Sequence, residues 1–109
     1  MTRKIATYLG FCIRSGKIVY GVDDAEKQKR GIQLILVDGA LSENSLKQMK
    51  KVKEKFGCPM LATEENLLGE LLHKPAVKAV SIKDKNLASA ILSAAEGNSK
   101  FKSISGGND

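Results

Sequence analysis

The chain has 109 residues, of which 42% are hydrophobic and 28% charged, a balance typical of a globular domain rather than a collagenous or wholly disordered chain. This length suits one domain with one core and leaves no room for a second. The longest mostly apolar stretch, residues 32–41, is interrupted by Gln33 and Asp38 and falls far short of the roughly 20 residues that span a bilayer. Because the N-terminal segment lacks the apolar core of a secretory signal, we expect a cytoplasmic protein.

The positive charge is unevenly distributed along the chain. The formal net charge is +6, which favours a polyanionic partner. Residues 1–57 contain 12 Lys or Arg against 6 Asp or Glu, whereas residues 58–109 contain 6 of each. The whole excess therefore lies in the first half, where we expect a nucleic acid to bind.

The first third of the chain predicts a helix, a strand and a second helix. Hydrophobic spacing indicates an amphipathic helix over Thr2–Arg14, followed by a short strand, Lys17–Tyr20. After a glycine, Asp23 or Asp24 can cap a second helix that runs towards Arg30. This second helix is short and weakly amphipathic.

The middle of the chain predicts a buried strand and a long helix. Gln33–Val37 is a near-continuous aliphatic run of strand length, as expected for a central strand covered on both faces. Ser42 is a suitable N-cap for a helix that Gly57 ends. One face of this helix is rich in lysine, which favours a solvated surface, with an auxiliary RNA or ribosomal contact as the alternative. Those lysines are Lys47, Lys50, Lys51, Lys53 and Lys55.

The second half predicts two further strands, each followed by a helix. Met60–Ala62 is a strand, after which Thr63 can cap a helix that Pro75 prevents from continuing. Val77–Ile82 is the last predicted strand, and Asp84 can cap a final helix.

Alternation of helices and strands predicts an α/β protein, a three-layer α/β/α sandwich with a mixed sheet of about four strands. The predicted domain covers residues 1–97. Residues 98–109 are rich in Ser, Gly, Asn and Lys and predict a tail without fixed structure.

Few residues fit a catalytic or metal site. His73 is the only histidine, so a catalytic triad would have to be centred on it, and a two-histidine metal site is excluded. We interpret His73 as a helix-end residue near the surface. Cys12 and Cys58 are too few and too far apart for a disulfide or zinc framework and fit small buried side chains. We therefore expect a protein that is not an enzyme and holds no metal.

One segment, Arg14–Lys27, joins three features that suit contact with a nucleic acid. Glycine lets the backbone approach a ligand closely, a helix start offers free amides to phosphate, and basic side chains lie nearby. Asp23 and Asp24 can accept hydrogen bonds from the amino group that guanine presents in the minor groove. N-cap carboxylates and solvated lysines explain the same pattern about as well. The nearby basic side chains are Lys17, Lys27, Lys29 and Arg30.

Several short motifs follow one another along the chain: Leu9-Gly10, Arg14-Ser15-Gly16-Lys17, Gly21-Val22-Asp23-Asp24-Ala25-Glu26-Lys27, Arg30-Gly31, Leu34-Ile35-Leu36-Val37 and Leu68-Gly69. In order and spacing they resemble the kink-turn-binding ribosomal-protein family. That family comprises large-subunit proteins of the seven-Ae and thirty-e types, core proteins of small nucleolar ribonucleoproteins, and short bacterial homologues. The resemblance is nearest to the bacterial homologues and extends from about Lys4 to about Leu92.

This resemblance implies a noncatalytic, cofactor-free monomer that binds kink-turn or similar bent RNA, with ribosomal RNA and ribosomal proteins as its partners. In the family, a turn at the start of the second helix reads tandem sheared G·A pairs, and a following lysine contacts phosphate. Here the turn corresponds to Gly21, Asp23 and Asp24, the lysine to Lys27, and the apposed loop follows the fourth helix. The residues expected to contact RNA are Lys17, Gly21, Val22, Asp23, Asp24, Lys27, Arg30, His73, Lys74, Pro75, Ala76 and Val77.

The chain departs from the family pattern inside this expected site. Asp23 stands where Asn is usual and loses an amide donor, while Asp24 stands where Glu is usual and has a shorter reach. His73 replaces a glycine, and Pro75 stiffens the next loop. A second hypothesis is therefore a protein-interaction module that keeps the scaffold but has lost specific RNA reading.

Overall fold

The computed structural model describes residues 2–104, which form five helices and five strands. Within that range, no helix combines the length and apolarity needed to cross a bilayer. In chain order the elements are α1 (Thr2–Arg14), β1 (Ile18–Tyr20), α2 (Val22–Lys27), β2 (Leu34–Asp38), α3 (Glu43–Phe56), β3 (Met60–Thr63), α4 (Leu67–Leu72), β4 (Ala79–Ile82), α5 (Lys85–Ala95) and β5 (Phe101–Ser103).

The strands form one mixed sheet in the order β1-β4-β2-β3-β5. β2 and β3 are parallel, whereas β4 runs antiparallel to both β1 and β2. Tyr20 and Leu36 both pair with Val80, so the ends of β1 and β2 lie beside the start of β4. The loops that leave β1, β2 and β3 and the loop that enters β4 therefore meet at one end of the sheet.

Helices cover both faces of this sheet. Leu34 and Leu36 point from β2 into a core shared with α1, α4 and α5, while Ile35 and Val37 point into a core shared with α2 and α3. All four side chains are at most 1% exposed, because a central strand between two helical layers buries both of its faces. The predicted three-layer α/β/α sandwich is confirmed.

The helices α3 and α5 begin where the sequence predicts. The Ser42 hydroxyl accepts a hydrogen bond from the Ser45 amide at the start of α3, and Gly57 ends that helix with a φ of 61°. The Asp84 carboxylate accepts from the Leu87 amide at 2.8 Å and caps α5.

α2 begins and ends differently from the prediction. Its N-cap is Gly21, and neither Asp23 nor Asp24 accepts a capping hydrogen bond. The helix stops well before Arg30. It buries a single side chain, Ala25, and therefore gains too little from packing to extend further.

The predicted cap of α4 is also wrong. Thr63 is the last, buried residue of β3, and Asn66 occupies the N-cap position without a side-chain capping bond. The capping oxygens come instead from Asp38 at the end of β2, which accepts from the amides of Asn66 and Leu68. A carboxylate distant in sequence thus replaces the local cap.

The fifth strand lies in the predicted tail. The expectation of no fixed structure over residues 98–109 is wrong for Phe101–Ser103, which pairs antiparallel with β3, and residues 105–109 lie outside the described part of the chain. Phe101 is 7% exposed and completes the core beside α5. The sheet accordingly has five strands rather than about four, because β5 gains its stability from pairing and burial that local composition does not reveal.

Candidate nucleic-acid interface

Gly21 forms the turn between β1 and α2. Its φ of 82° and ψ of 177° lie in a region nearly restricted to glycine. The Gly21 amide donates to the carbonyl oxygen of Ala79 at 2.8 Å, which fixes the turn against the start of β4. A Cβ added at Gly21 would meet no atom within 4 Å, so the space above the turn is open to a ligand.

The first turn of α2 presents two carboxylates to solvent. Asp23 and Asp24 are both exposed, at the helix end where the dipole favours negative charge. Lys27 is also exposed, and because it follows Asp23 by four residues it lies on the same side of the helix. Two acceptors and one cation therefore lie within about one helical turn of each other.

The loop after α4 is a tight, exposed turn. His73 ends the helix with a φ of 57°, in the left-handed region. The Lys74 amide donates to the carbonyl oxygen of Gly69 at 2.8 Å, and the Val77 amide donates to that of Lys74 at 3.0 Å. Residues 73–76 are exposed, whereas Val77 is half-buried. Backbone hydrogen bonds thus hold the exposed part of the loop at both ends.

α4 approaches its own loop closely at Gly69. A Cβ at this buried position would lie 2.8 Å from the carbonyl oxygen of Lys74 and 2.9 Å from the Cα of Pro75. Packed backbone atoms do not come this close to a Cβ, so the path of the loop depends on glycine.

A cation–π contact joins this loop to β1. The Lys74 ammonium lies 5.5 Å from the centroid of the Tyr20 ring, within the range of attraction. Tyr20 immediately precedes Gly21, so the structure brings the predicted turn and the predicted loop to the same end of the sheet. We call this region the Gly21 surface, comprising Gly21, Asp23, Asp24, Lys27 and residues 73–77.

A buried carboxylate orders the neighbouring loops. Asp38 is 2% exposed, and its Oδ1 accepts from the amides of Ala40 and Asn66, each at 2.8 Å. Its Oδ2 accepts from the Leu68 amide at 3.0 Å and from the Thr63 hydroxyl at 3.4 Å. One side chain therefore holds both the turn after β2 and the start of α4.

These contacts determine the ionisation of Asp38. Burial alone would raise its pKa, but the three amide donors and the charge of Lys78 outweigh burial and lower the pKa below its ordinary value of 3.8. The Lys78 ammonium donates to the Asn66 side-chain oxygen at 2.9 Å. Asp38 is thus a charged structural group at neutral pH.

Two of the predicted contact residues lie away from the Gly21 surface. Lys17 precedes β1, about 13 Å from Gly21 along an extended chain, and its carbonyl oxygen accepts from the Lys83 amide after β4. Arg30 lies between α2 and β2, beyond the far end of α2. The structure therefore places Lys17 at the opposite end of β1 from Gly21, and Arg30 in the loop three residues after Lys27.

An open cleft of about 410 Å³ lies between α1 and α4, and His73 is part of its lining. Arg3 and Arg14 also line this cleft. The Arg14 guanidinium lies 4.9 Å from the centroid of the Phe11 ring, a half-exposed aromatic side chain. Positive charge thus continues from the loop after α4 along α1.

Both cysteines are buried, as predicted. Burial, with a smaller effect from the Asp84 charge, raises the pKa of the Cys12 thiol to about 11. Burial likewise raises the pKa of the Cys58 thiol. Both thiols are therefore protonated at neutral pH and behave as small apolar side chains.

Sequence reasoning missed three residues that shape this end of the sheet: Tyr20, Asp38 and Lys78. Asp38 carries a signal, since a carboxylate that ends an otherwise aliphatic strand must find hydrogen-bond donors. The partner of Lys78 depends on the fold and has no local signal.

No protein-family model matches the chain, and no curated protein matches it. Among solved structures, a protein of unknown function from Bacillus halodurans C is similar, with a TM-score of 0.71 and 14% sequence identity. The match covers 85% of this chain and 97% of the other. At this identity the likeness shows a shared fold alone.

Proposed function

We propose that the chain is a noncatalytic RNA-binding protein that recognises kink-turn or similarly bent structured RNA through the Gly21 surface. The observation that carries this proposal is the meeting of the Gly21 turn with the loop after α4, across β1 and β4. A bent RNA presents two backbone segments side by side. A protein that binds both segments therefore contacts them through two adjacent loops rather than one.

The residue types of the Gly21 surface suit this RNA. Gly21 leaves open space above the turn, so a base or sugar can approach the backbone. Asp23 and Asp24 supply acceptors for guanine amino groups, while Lys27 and Lys74 neutralise phosphates that the bend brings close together. The energy needed to bend the RNA is offset by the additional contacts, as in bent DNA complexes.

The family resemblance extends the proposal to the biological setting. It favours ribosomal RNA as the partner, with ribosomal proteins as neighbours, and a cytoplasmic monomer as the acting species. No cofactor enters the mechanism, because bending and phosphate neutralisation need only the side chains of the chain itself.

A titration with two RNAs tests the proposal. One is a kink-turn duplex, and the other replaces its tandem G·A pairs with Watson–Crick pairs. At fixed salt, we expect the kink-turn duplex to bind more tightly by at least about tenfold, the effect of losing one or two specific base contacts. Equal affinity for both RNAs would reject structure-specific recognition and favour the protein-interaction module instead.

Lys27→Ala tests the phosphate contact within the same surface. Removing one phosphate contact should weaken kink-turn binding and reduce the slope of log affinity against log salt by about 0.9. Lys102→Ala is the matched control, because Lys102 is also exposed but lies on β5, at the other edge of the sheet. An unchanged slope for Lys27→Ala would remove Lys27 from the interface.

A further inference from the structure

Two lysine ammonium groups converge on one uncharged residue between α2 and β2. The Lys55 ammonium, at the end of α3, donates to the backbone carbonyl oxygen of Gln28 at 2.6 Å. The Lys83 ammonium, after β4, donates to the side-chain oxygen of the same glutamine at 2.9 Å. Because both acceptors are neutral oxygens, these hydrogen bonds hold the two charges in place without neutralising either of them.

A third lysine lies directly opposite Lys83. Ile18 pairs with Ile82, and the Lys83 amide donates to the carbonyl oxygen of Lys17 at 2.8 Å, so the antiparallel register continues to Lys17 and Lys83. Directly opposed residues project from the same face of a sheet, and like charges in such pairs are destabilising. We call Lys17, Gln28, Lys55 and Lys83 the Gln28 cluster.

The backbone around the Gln28 cluster leaves room for this arrangement. Gly31 has a φ of 96°, and a Cβ at this position would lie 3.3 Å from the Cε of Lys83. Lys29 and Arg30, just before it, are both exposed and add to the positive charge. Repulsion alone would disperse these cations, whereas the fold concentrates them.

The apolar side chains of this region are covered. Ile32 and Cys58 are 3% and 6% exposed, and the half-buried Phe56 has the Lys55 ammonium 5.2 Å from its ring centroid, so none of them offers an open anchor for a protein partner. A surface of long cationic side chains without an apolar centre matches a regular polyanion, whose phosphates are held by charge rather than by shape. Of the polyanions, RNA is the one that suits the proposed function.

We propose that the Gln28 cluster is a second RNA-binding surface, which contacts backbone phosphates without reading sequence. It lies at the start of β1, whereas Gly21 and the loop after α4 lie at the end of that strand, and the two surfaces adjoin at Lys27 and Gln28. The proposal rests on the proposed function only in taking RNA as the ligand, because it requires no kink-turn. One protein molecule would then bind a bent RNA element at one end of β1 and a second backbone segment at the other.

The test uses a plain A-form RNA duplex without G·A pairs and the full chain carrying Lys17→Gln, Lys55→Gln and Lys83→Gln. We expect affinity for the plain duplex to fall by about tenfold or more. The slope of log affinity against log salt should decrease by about 0.9 for each of the two or three phosphate contacts that are lost. The control carries Lys4→Gln, Lys100→Gln and Lys102→Gln, which remove the same charge from exposed positions on α1, β5 and the loop before β5. The control should bind within about twofold of the unmodified chain, since overall charge acts weakly at a distance.

Two outcomes overturn the proposal. Equal losses in the two triple variants would show that only net charge matters, and tighter binding of poly-glutamate than of the RNA duplex at the same salt would assign the cluster to an acidic protein. Lys17→Gln alone gives a readout that a merely structural role would not produce, namely weaker duplex binding with a melting temperature that is unchanged or raised. Thermal unfolding of the triple variant confirms that it is folded before it is titrated.

The same samples separate this proposal from the proposed function. The ratio of affinities for the kink-turn duplex and its Watson–Crick counterpart should be the same in the unmodified chain and in the triple variant of the Gln28 cluster. If neither protein prefers the kink-turn but the triple variant loses plain-duplex binding, the proposed function fails and the Gln28 cluster stands. If the preference is present and plain-duplex binding is unaffected, the reverse holds.

Discussion

The two ends of β1 are stabilised in opposite ways. At its end, beside the Gly21 surface, Asp38 receives three amide hydrogen bonds and Gly69 lets α4 pack directly on the following loop. At its start, the Gln28 cluster holds lysines together on neutral oxygens. The first end is built for a fixed shape and the second for concentrated charge. Substitutions of Asp38 and Gly69 at the first end should therefore reduce stability, whereas Lys17→Gln at the second should weaken RNA binding without a loss of stability.

Asp38→Asn should give the largest effect at the shape-determining end. An amide group keeps one acceptor oxygen but turns its NH₂ towards a backbone N–H, so we expect the free energy of unfolding to fall by about 2–3 kcal/mol. Urea denaturation at neutral pH measures this loss. An unchanged midpoint would contradict the structural role of the carboxylate.

The stability difference between the original chain and Asp38→Asn should depend on pH. The pKa of Asp38 is lower in the folded chain than its ordinary value of 3.8, so its stabilisation is present above that value and is lost as the pH falls through the folded pKa. The difference in unfolding free energy between the original chain and Asp38→Asn should therefore shrink below about pH 4. A difference that stays constant from pH 7 to pH 3 would contradict the low pKa.

Gly69→Ala should give the next largest effect on stability, and Gly10→Ala is its matched control. In a helix, Gly→Ala ordinarily stabilises by up to about 1 kcal/mol, and Gly10 should follow this rule because its added Cβ would meet only the Arg14 side chain at 3.7 Å. At Gly69 the added Cβ meets backbone atoms, so we expect a loss of about 1–3 kcal/mol. Thermal unfolding measures the change in melting temperature of each variant. Equal changes in the two variants would contradict the close approach of the loop to Gly69.

Gly69→Ala also distinguishes the two RNA surfaces. Displacing the loop after α4 should weaken kink-turn binding of the folded variant and leave its plain-duplex binding unchanged. Anisotropy titrations with the two RNAs, below the unfolding temperature, measure this difference. Parallel losses on both RNAs would show that the two ends of β1 do not act separately.

Lys17→Gln should give the smallest change in stability, and one of opposite sign. Removing a like charge opposite Lys83 should raise the free energy of unfolding by about 0.2–0.5 kcal/mol at low salt. Because salt screens this repulsion, the gain should disappear at high ionic strength. Denaturant unfolding at two salt concentrations measures it, and a loss of stability would contradict the like-charge pair.

The helices that begin and end at local capping residues were predictable from the sequence. The two short helices, α2 and α4, were predicted only in part. Ser42 marks the start of α3 and Gly57 marks its end, because a cap and a stop act on adjacent backbone groups. α4 has no such signal, since its capping oxygens belong to Asp38 in another strand. β5 could not be predicted, because a three-residue strand depends on the open edge of β3 that it pairs with.

For the candidate site, the residues themselves indicated the Gly21 turn, through its glycine and the charged side chains nearby, whereas the loop after α4 was indicated only by the family resemblance. The sequence did not indicate that Tyr20 contacts Lys74, or that Lys17 lies opposite Lys83. Those facts depend on which strand pairs with β1.

By itself, the sequence determined the buried faces, most element boundaries and the concentration of basic residues in the first half, because periodicity, caps and charge act over a few residues. Tertiary structure decided the rest. Pairing of β1 with β4 joins residues far apart in the chain, and that single contact brings Lys74 to Tyr20 at one end and Lys83 to Lys17 at the other. The two surfaces therefore exist only in the folded chain, since strand order is a property of long-range pairing that no local pattern encodes.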